Sequence, residues 1–151
     1  MALAFLRTVV PYGNYHELQI IDVTHPSAPY MVGRSDSKDL FSVSETLVQG
    51  ERAYVLSNMF HVVDYRNASA PQILGSSPVS DLSLHSLNVV GDFAYLSGQG
   101  RVKIFDVHDP TQPALVQTYG LNPGEPWASP AVILDNRMAY VVVYDETTID
   151  Y

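Results

Sequence analysis

Residues 18–29 read LQIIDVTHPSAP, residues 60–71 read FHVVDYRNASAP and residues 102–113 read VKIFDVHDPTQP, and the three segments align without a gap. The aspartates Asp22, Asp64 and Asp106 and the closing prolines Pro29, Pro71 and Pro113 each recur at a spacing of 42 residues. A fixed period of this length marks a repeat architecture in which every unit is one supersecondary element. Each segment is rich in β-branched and aromatic residues and ends in turn formers, so each reads as a strand running into a tight turn.

A second landmark precedes each segment: Ala53-Tyr54, Ala94-Tyr95 and Ala139-Tyr140, spaced by 41 and then 45 residues. The longer spacing is accommodated between Thr118 and Pro130, where Gly120, Pro123, Gly124, Pro126 and Pro130 mark a long loop. Within the unit from Ser42 to Ser77 the pattern predicts four strands, at 43–49, 52–58, 60–65 and 71–76. Gln49-Gly50-Glu51, Val90-Gly91-Asp92 and Asp135-Asn136-Arg137 suit tight hairpins, so successive strands are expected to pair antiparallel. Ala4-Phe5 is read as a further copy of the Ala-aromatic pair, and Thr148 to Tyr151 as a further copy of the Val62 to Tyr65 run.

The third strand of each unit carries large apolar side chains on both faces, as in Ile20, Ile21 and Val23 or Val62, Val63 and Tyr65. Such a strand must be covered on both sides. A four-stranded sheet with two apolar faces buries both by stacking radially on copies of itself, which is the β-propeller solution. A two-sheet sandwich is the alternative topology. The expected fold is therefore all-β, a propeller segment of about three four-stranded antiparallel blades in one domain spanning 1–151, with repeats near 1–34, 43–76 and 86–118 and a partial one at 130–151. Neither end shows a polar capping sequence, so the chain is expected to be part of a longer array, needing further blades or self-association to close the ring.

The strands LQIIDV, FHVVDY and VKIFDV, each followed by a turn ending in proline and preceded by an Ala-aromatic strand, resemble the LVIVD repeat. The resemblance implies a bacterial or archaeal β-propeller, often exported or displayed at the cell surface and joined to other extracellular domains. It implies a module for recognition or scaffolding and carries over no active-site residue. Two departures stand out: Gln117 where the first two repeats have Gly33 and Gly75, and Ala68 in place of the first proline of the turn.

With 46% apolar and 16% charged residues the chain has the composition of a packed globular domain. The 16 acidic residues outnumber 8 basic ones, and Lys38 and Lys103 are the only lysines, so no basic patch exists to attract a phosphate backbone or an anionic leaflet. Nucleic acid is not an expected partner. The absence of cysteine excludes disulfides, thiolate metal sites and cysteine nucleophiles. The apolar run from Met1 to Val10 contains Arg7 and falls short of the ~20 residues of a membrane span, so no direct membrane insertion is expected. Nor does the start of the chain follow the order of a signal peptide.

Asp22, Asp64, Asp106 and Asp150 occupy one position per repeat, which favours a repeated structural need, acceptance of loop amides before the proline turn, over metal ligation or general-base work. The repeat prolines Pro29, Pro71 and Pro113 belong to the same turn. The five histidines show no zinc-ligand spacing. His85 is a binding candidate because it enters an inner strand at the mouth of the expected central channel. Asp81, His85 and Ser86 could supply the residue types of a triad, but neighbouring strand residues point to opposite faces. Gly98-Gln99-Gly100 joins two strands and reads as a hairpin turn, not a phosphate loop. No metal or other cofactor is expected. The loop from Tyr119 to Ser129 contains Glu125 and the only tryptophan, Trp127, and is the best candidate for contact with a partner. The loops 35–42 and 77–85 are expected on the same face. Asn67-Ala68-Ser69 fits the glycosylation pattern, but turn chemistry explains it.

Together these features favour a non-enzymatic repeat module of an exported or cell-surface protein that presents loops to a protein or glycan. The rivals are an enzyme with its active site at the central channel and a spacer that binds nothing.

Overall fold

Turn chemistry and alternating burial divide the chain into antiparallel sheets. The computed structural model describes residues 2–10, 13–35, 40, 42–80, 84–98, 100–120, 131–135 and 138–142. The first sheet is β1 (Ala2–Val10), β2 (Gly13–Asp22) and β3 (Tyr30–Arg34). The second is β4 (Glu45–Gln49), β5 (Arg52–Leu56), β6 (Met59–Asp64) and β7 (Gln72–Pro78), and the third is β8 (Ser86–Val90), β9 (Phe93–Gly98), β10 (Arg101–Asp106) and β11 (Ala114–Gly120). β12 (Ala131–Asp135) pairs with β13 (Met138–Val142) in the last.

Every sheet is an antiparallel meander, and the described sheets follow one another as an open series. The predicted strands of the second unit lie within two residues of β4, β5, β6 and β7 at every boundary. Gly50 and Gly91, at φ of 60° and 58°, make the hairpin turns between first and second strands, a conformation that disfavours a Cβ. Asn136 and Arg137 of the corresponding turn lie outside the described residues. Among the first strands, β8 neighbours both β4 and β12, so the three follow one another along one side of the series.

Both faces of the central strands are buried, and this makes the sheets stack. In β5, Ala53 and Val55 pack with Leu18, Ile20, Val63 and Tyr65 between the first and second sheets. Tyr54 and Leu56 point the other way, into a cluster with Phe60, Val62, Leu87, Leu96 and Phe105 between the second and third. Face-to-face stacking of four-stranded meanders is propeller-like.

One expectation needs correction. Ala53 pairs with Val63 and Ala94 with Phe105, each partner immediately before the repeat aspartate. The residue opposite the equivalent Ile21 is Ala2, not Ala4. Ala4-Phe5 therefore imitates the Ala-aromatic pair two residues out of register, because strand alternation makes a shift of two look like a match on the same face.

At one end of the sheets the three repeat turns have matching hydrogen bonds. Asp22, Asp64 and Asp106 each accept, through Oδ1, the amide of the second residue onward: Thr24 at 2.7 Å, Arg66 at 2.9 Å and His108 at 2.8 Å. β-turns follow, closed by Ala28 N–H to His25 O, Ala70 N–H to Asn67 O and Gln112 N–H to Asp109 O at 2.9, 3.0 and 3.1 Å. The turn of one sheet docks on the outer strand of the sheet before it. A Cβ placed on Gly33 in β3 would lie 2.1 Å from Ala68 O, and one on Gly75 in β7 would lie 2.5 Å from Thr111 O. The glycines are thus sockets, and their hydrogen atoms are what lets the next turn approach. Docking also shows in burial: Pro71 and Pro113 are buried, whereas Pro29 of the first turn is exposed.

These turns make the fold acid-sensitive. The Thr24 hydroxyl and amide hold the Asp22 carboxyl below its ordinary 3.8, the Arg66 guanidinium and amide do so for Asp64, and the Thr111 hydroxyl and amide for Asp109. A carboxyl with a depressed folded-state pKa contributes stability that is present above the unfolded value and lost as pH falls through the folded one. Urea midpoints are therefore expected to hold down to about pH 4 and fall below it. A midpoint flat from pH 5 to about pH 2 would contradict these turn contacts.

Candidate functional site

Alternate connections of an antiparallel meander emerge at alternate ends, so the end opposite the repeat turns carries a different set of loops. These are the β1–β2 hairpin, the described parts of the intersheet segments 35–44 and 79–85, the turn at 57–58 and the connection from β9 to β10. Ser44 Oγ donates to Leu84 O at 3.2 Å and ties the starts of β4 and β8 together at this end. The His85 amide donates to Ser97 O at 2.9 Å, and the Ser35 amide to Leu18 O at 2.9 Å.

Two features distinguish this loop end. First, β1 and β2 extend beyond the length of their counterparts. Phe5 opposite Leu18 matches Leu56 opposite Phe60, the last pair of the β5–β6 ladder, but five more pairs follow, out to Val10 opposite Gly13. At about 3.3 Å per residue the hairpin reaches roughly 16 Å farther. Second, Ser42 and Ser80, the non-glycine residues at positive φ (56° and 53°) among those described, both lie in intersheet segments of this end. Such conformations are uncommon away from glycine and gather at functional loops.

His85 is exposed, just ahead of β8. Trp127, Glu125 and Asp150 lie outside the described residues. Glu45, which the sequence did not single out, starts the neighbouring inner strand β4. Burial pushes its carboxyl above the ordinary 4.5, against the Leu87 amide, which donates to it and favours the charged form. Beside it, Thr46 Oγ1 is buried with no hydrogen-bond partner. The inner side at the loop end thus holds a half-buried acid and, one strand over, an exposed imidazole.

A buried polar group also recurs in the third strands. Gln19, His61 and Lys103 occupy one repeat position, and the last two are buried. His61 Nε2 lies 3.0 Å from Ser57 Oγ and its Nδ1 lies 2.7 Å from Ser76 Oγ. Ser57 Oγ also accepts the Met59 amide at 3.1 Å and lies 2.9 Å from Met59 O, so it is a tied turn hydroxyl rather than an open nucleophile. Lys103 Nζ donates to Val79 O at 2.7 Å, linking the third sheet to the segment that leaves the second. The signal was present in the sequence as a polar residue second in each of the segments LQ, FH and VK.

At the opposite end a shallow pocket is lined by Asp64, Arg66, Asn67, Ala70 and Gln72. Arg66 donates to both carboxylate oxygens of Asp64, at 2.6 Å from Nη2 to Oδ2, so its charges are already matched. Among the described residues no three histidine, aspartate or glutamate side chains come together as a metal-binding group. None of the described helices is long and apolar enough to cross a membrane, since the described elements are strands.

Comparison with known families matches residues 9–37 and 83–120 to the LVIVD repeat. A comparison with curated proteins gave no match. The two matched segments contain β2 with β3 and β8 to β11, and each includes one of the repeat turns.

Proposed function

We propose that this chain, an LVIVD-repeat protein, is a non-enzymatic recognition or scaffolding module that presents its loop end to a protein or glycan. The observation that carries this reading is the division of labour between the two ends. One end is consumed by the turns that lock sheet to sheet. The other gathers the long hairpin, both positive-φ serines and exposed His85, and to these the proposal adds the sequence candidates Glu125 and Trp127. Loops on a rigid scaffold are where binding residues concentrate. The resemblance to exported repeat proteins adds an extracellular or cell-surface location to the proposal.

The test is to probe glycan and peptide arrays with the whole chain, then compare Trp127→Ala and His85→Ala with Arg66→Ala at the turn end. Binding is expected to weaken at least about tenfold in one or both loop-end variants with the melting temperature unchanged, and to survive Arg66→Ala. Loss that follows Arg66→Ala instead would overturn the assignment. A folded chain that binds nothing would favour the spacer.

The raised Glu45 carboxyl beside the strand entered by His85 gives the central-channel enzyme its one specific support. That reading gains ground if melting is chelator-sensitive or the purified protein holds stoichiometric metal.

A further inference from the structure

A fully buried imidazole in the second sheet is joined to an exposed hydroxyl. His61 in β6 pairs across the ladder with Ser76 in β7, and His61 Nδ1 lies 2.7 Å from Ser76 Oγ. His61 is 0% exposed, whereas Ser76 stands open to solvent. In the flanking repeats the same cross-strand position holds Gln19 opposite Arg34 and Lys103 opposite Thr118, so a base and a hydroxyl of this kind meet in one of the three aligned repeats. The turn aspartates recur because each unit needs them. This pair does not recur, and the other two sheets form without it.

The other ring nitrogen decides which way the proton runs. Ser57 Oγ, 3.0 Å from His61 Nε2, accepts the Met59 amide at 3.1 Å and has two oxygens in reach of its single hydrogen, Met59 O at 2.9 Å and Asn58 Oδ1 at 3.1 Å. With that hydrogen given to an oxygen, Nε2 brings its own, and the second lone pair of Ser57 Oγ accepts it. Nδ1 is then the bare nitrogen, and the Ser76 hydroxyl donates to it. A serine hydroxyl donating to a neutral imidazole whose tautomer is fixed from behind is an activated nucleophile.

We propose that Ser76 is an acylation site, taking an acyl group from an activated ester with His61 as the general base. Ser76 Oγ attacks the acyl carbon and its proton passes to His61 Nδ1; the donor's carbon–oxygen bond then breaks, and the leaving alkoxide or phenolate takes that proton. The products are an ester of Ser76 and the free alcohol or phenol of the donor. No part of the ring is open to solvent, so water does not take the place of Ser76 beside Nδ1 while the ester stands. The acyl group stays, and the chain is modified once without turnover. This goes beyond the binding role proposed above and does not depend on it.

Incubation of the whole chain with 4-nitrophenyl acetate at neutral pH, followed by peptide mapping in a mass spectrometer, tests the proposal. Ser69 is the internal control, since its exposed side chain donates to Asn67 Oδ1 at 2.7 Å, an amide oxygen instead of an imidazole. Acetyl is expected on Ser76 at least about tenfold faster than on Ser69. Acetylation of Ser76 no faster than that of Ser69 overturns the proposal. His61→Gln keeps a hydrogen-bonding side chain but no base, and is expected to bring Ser76 down to the Ser69 rate with the circular dichroism spectrum unchanged. A folded His61→Gln protein acetylated on Ser76 as fast as wild type also overturns it. If His61→Gln does not fold, the comparison of Ser76 with Ser69 within the wild-type chain decides alone.

Discussion

Phe60→Ala is expected to destabilise the fold by about 3–5 kcal/mol, a large share of the 5–15 kcal/mol typical of a domain. Phe60 is fully buried in the cluster between the second and third sheets. Its ring stacks on Tyr54 at 6.3 Å and tilts against Phe105 at 5.2 Å, so its removal vacates the contact between β5, β6 and β10 together. The rings around the gap are held by their own strands and cannot all move in to fill it. Urea unfolding followed by circular dichroism measures the loss. Val116→Ala, at an exposed site on β11, should stay within about 0.5 kcal/mol of wild type. A Phe60→Ala protein as stable as Val116→Ala would mean that the sheets do not stack as described.

The second large effect is expected from the socket glycines. Alanine at Gly33 or Gly75 sets a methyl against backbone atoms of the docked turn, at 2.1 Å from Ala68 O or 2.5 Å from Thr111 O. A backbone carbonyl anchored in a turn cannot swing aside as a side chain does, so the dock must open. The expected cost is at least about 3 kcal/mol, at the upper end of overpacking and beyond it at Gly33. Two other glycines separate steric from backbone effects. Gly50→Ala meets nothing within 4 Å but must hold φ near 60°, for about 1 kcal/mol. Gly120→Ala meets nothing and carries no positive φ, so it is expected to be neutral or slightly stabilising. Thermal melts of the four variants should rank in that order. Gly33→Ala and Gly120→Ala melting together would remove the socket.

The sequence made the strands and hairpins legible because side-chain alternation, turn glycines and the 42-residue period all point the same way. Burial of β6 on both faces was equally readable, since a strand with large apolar side chains on both faces must be covered on both. The register of β1 was not. Ala4-Phe5 repeats a local pattern that β-alternation permits at every second position, and only pairing across the ladder shows that Ala2 faces Ile21. The long hairpin was hidden by the same coincidence.

Gly33 and Gly75 were visible as repeat residues, and Gln117 as a departure. The meaning of the glycines depends on contacts between repeats some 35 residues apart, which no local window contains. Gln19, His61 and Lys103 share one repeat position in the aligned segments, but the burial of His61 and Lys103 there shows only once the sheets stack. Of the candidate binding residues, His85 lies exposed at the loop end, and Trp127 and Glu125 fall outside the described residues. Glu45 gave no sequence signal, because its raised pKa arises from burial at an inner edge that only stacking creates.

The central claim is that each repeat turn is held by the glycine of the sheet before it, and the chain contains its own control. Ala28, Ala70 and Gln112 donate the same turn hydrogen bond, at 2.9, 3.0 and 3.1 Å, and among the described residues it is the second and third turns that meet a glycine of the sheet before them. Amide hydrogen exchange of the wild-type chain should show Ala70 and Gln112 protected well beyond Ala28. Equal exchange at all three amides would show that the turns stand alone and that the glycines hold nothing in place.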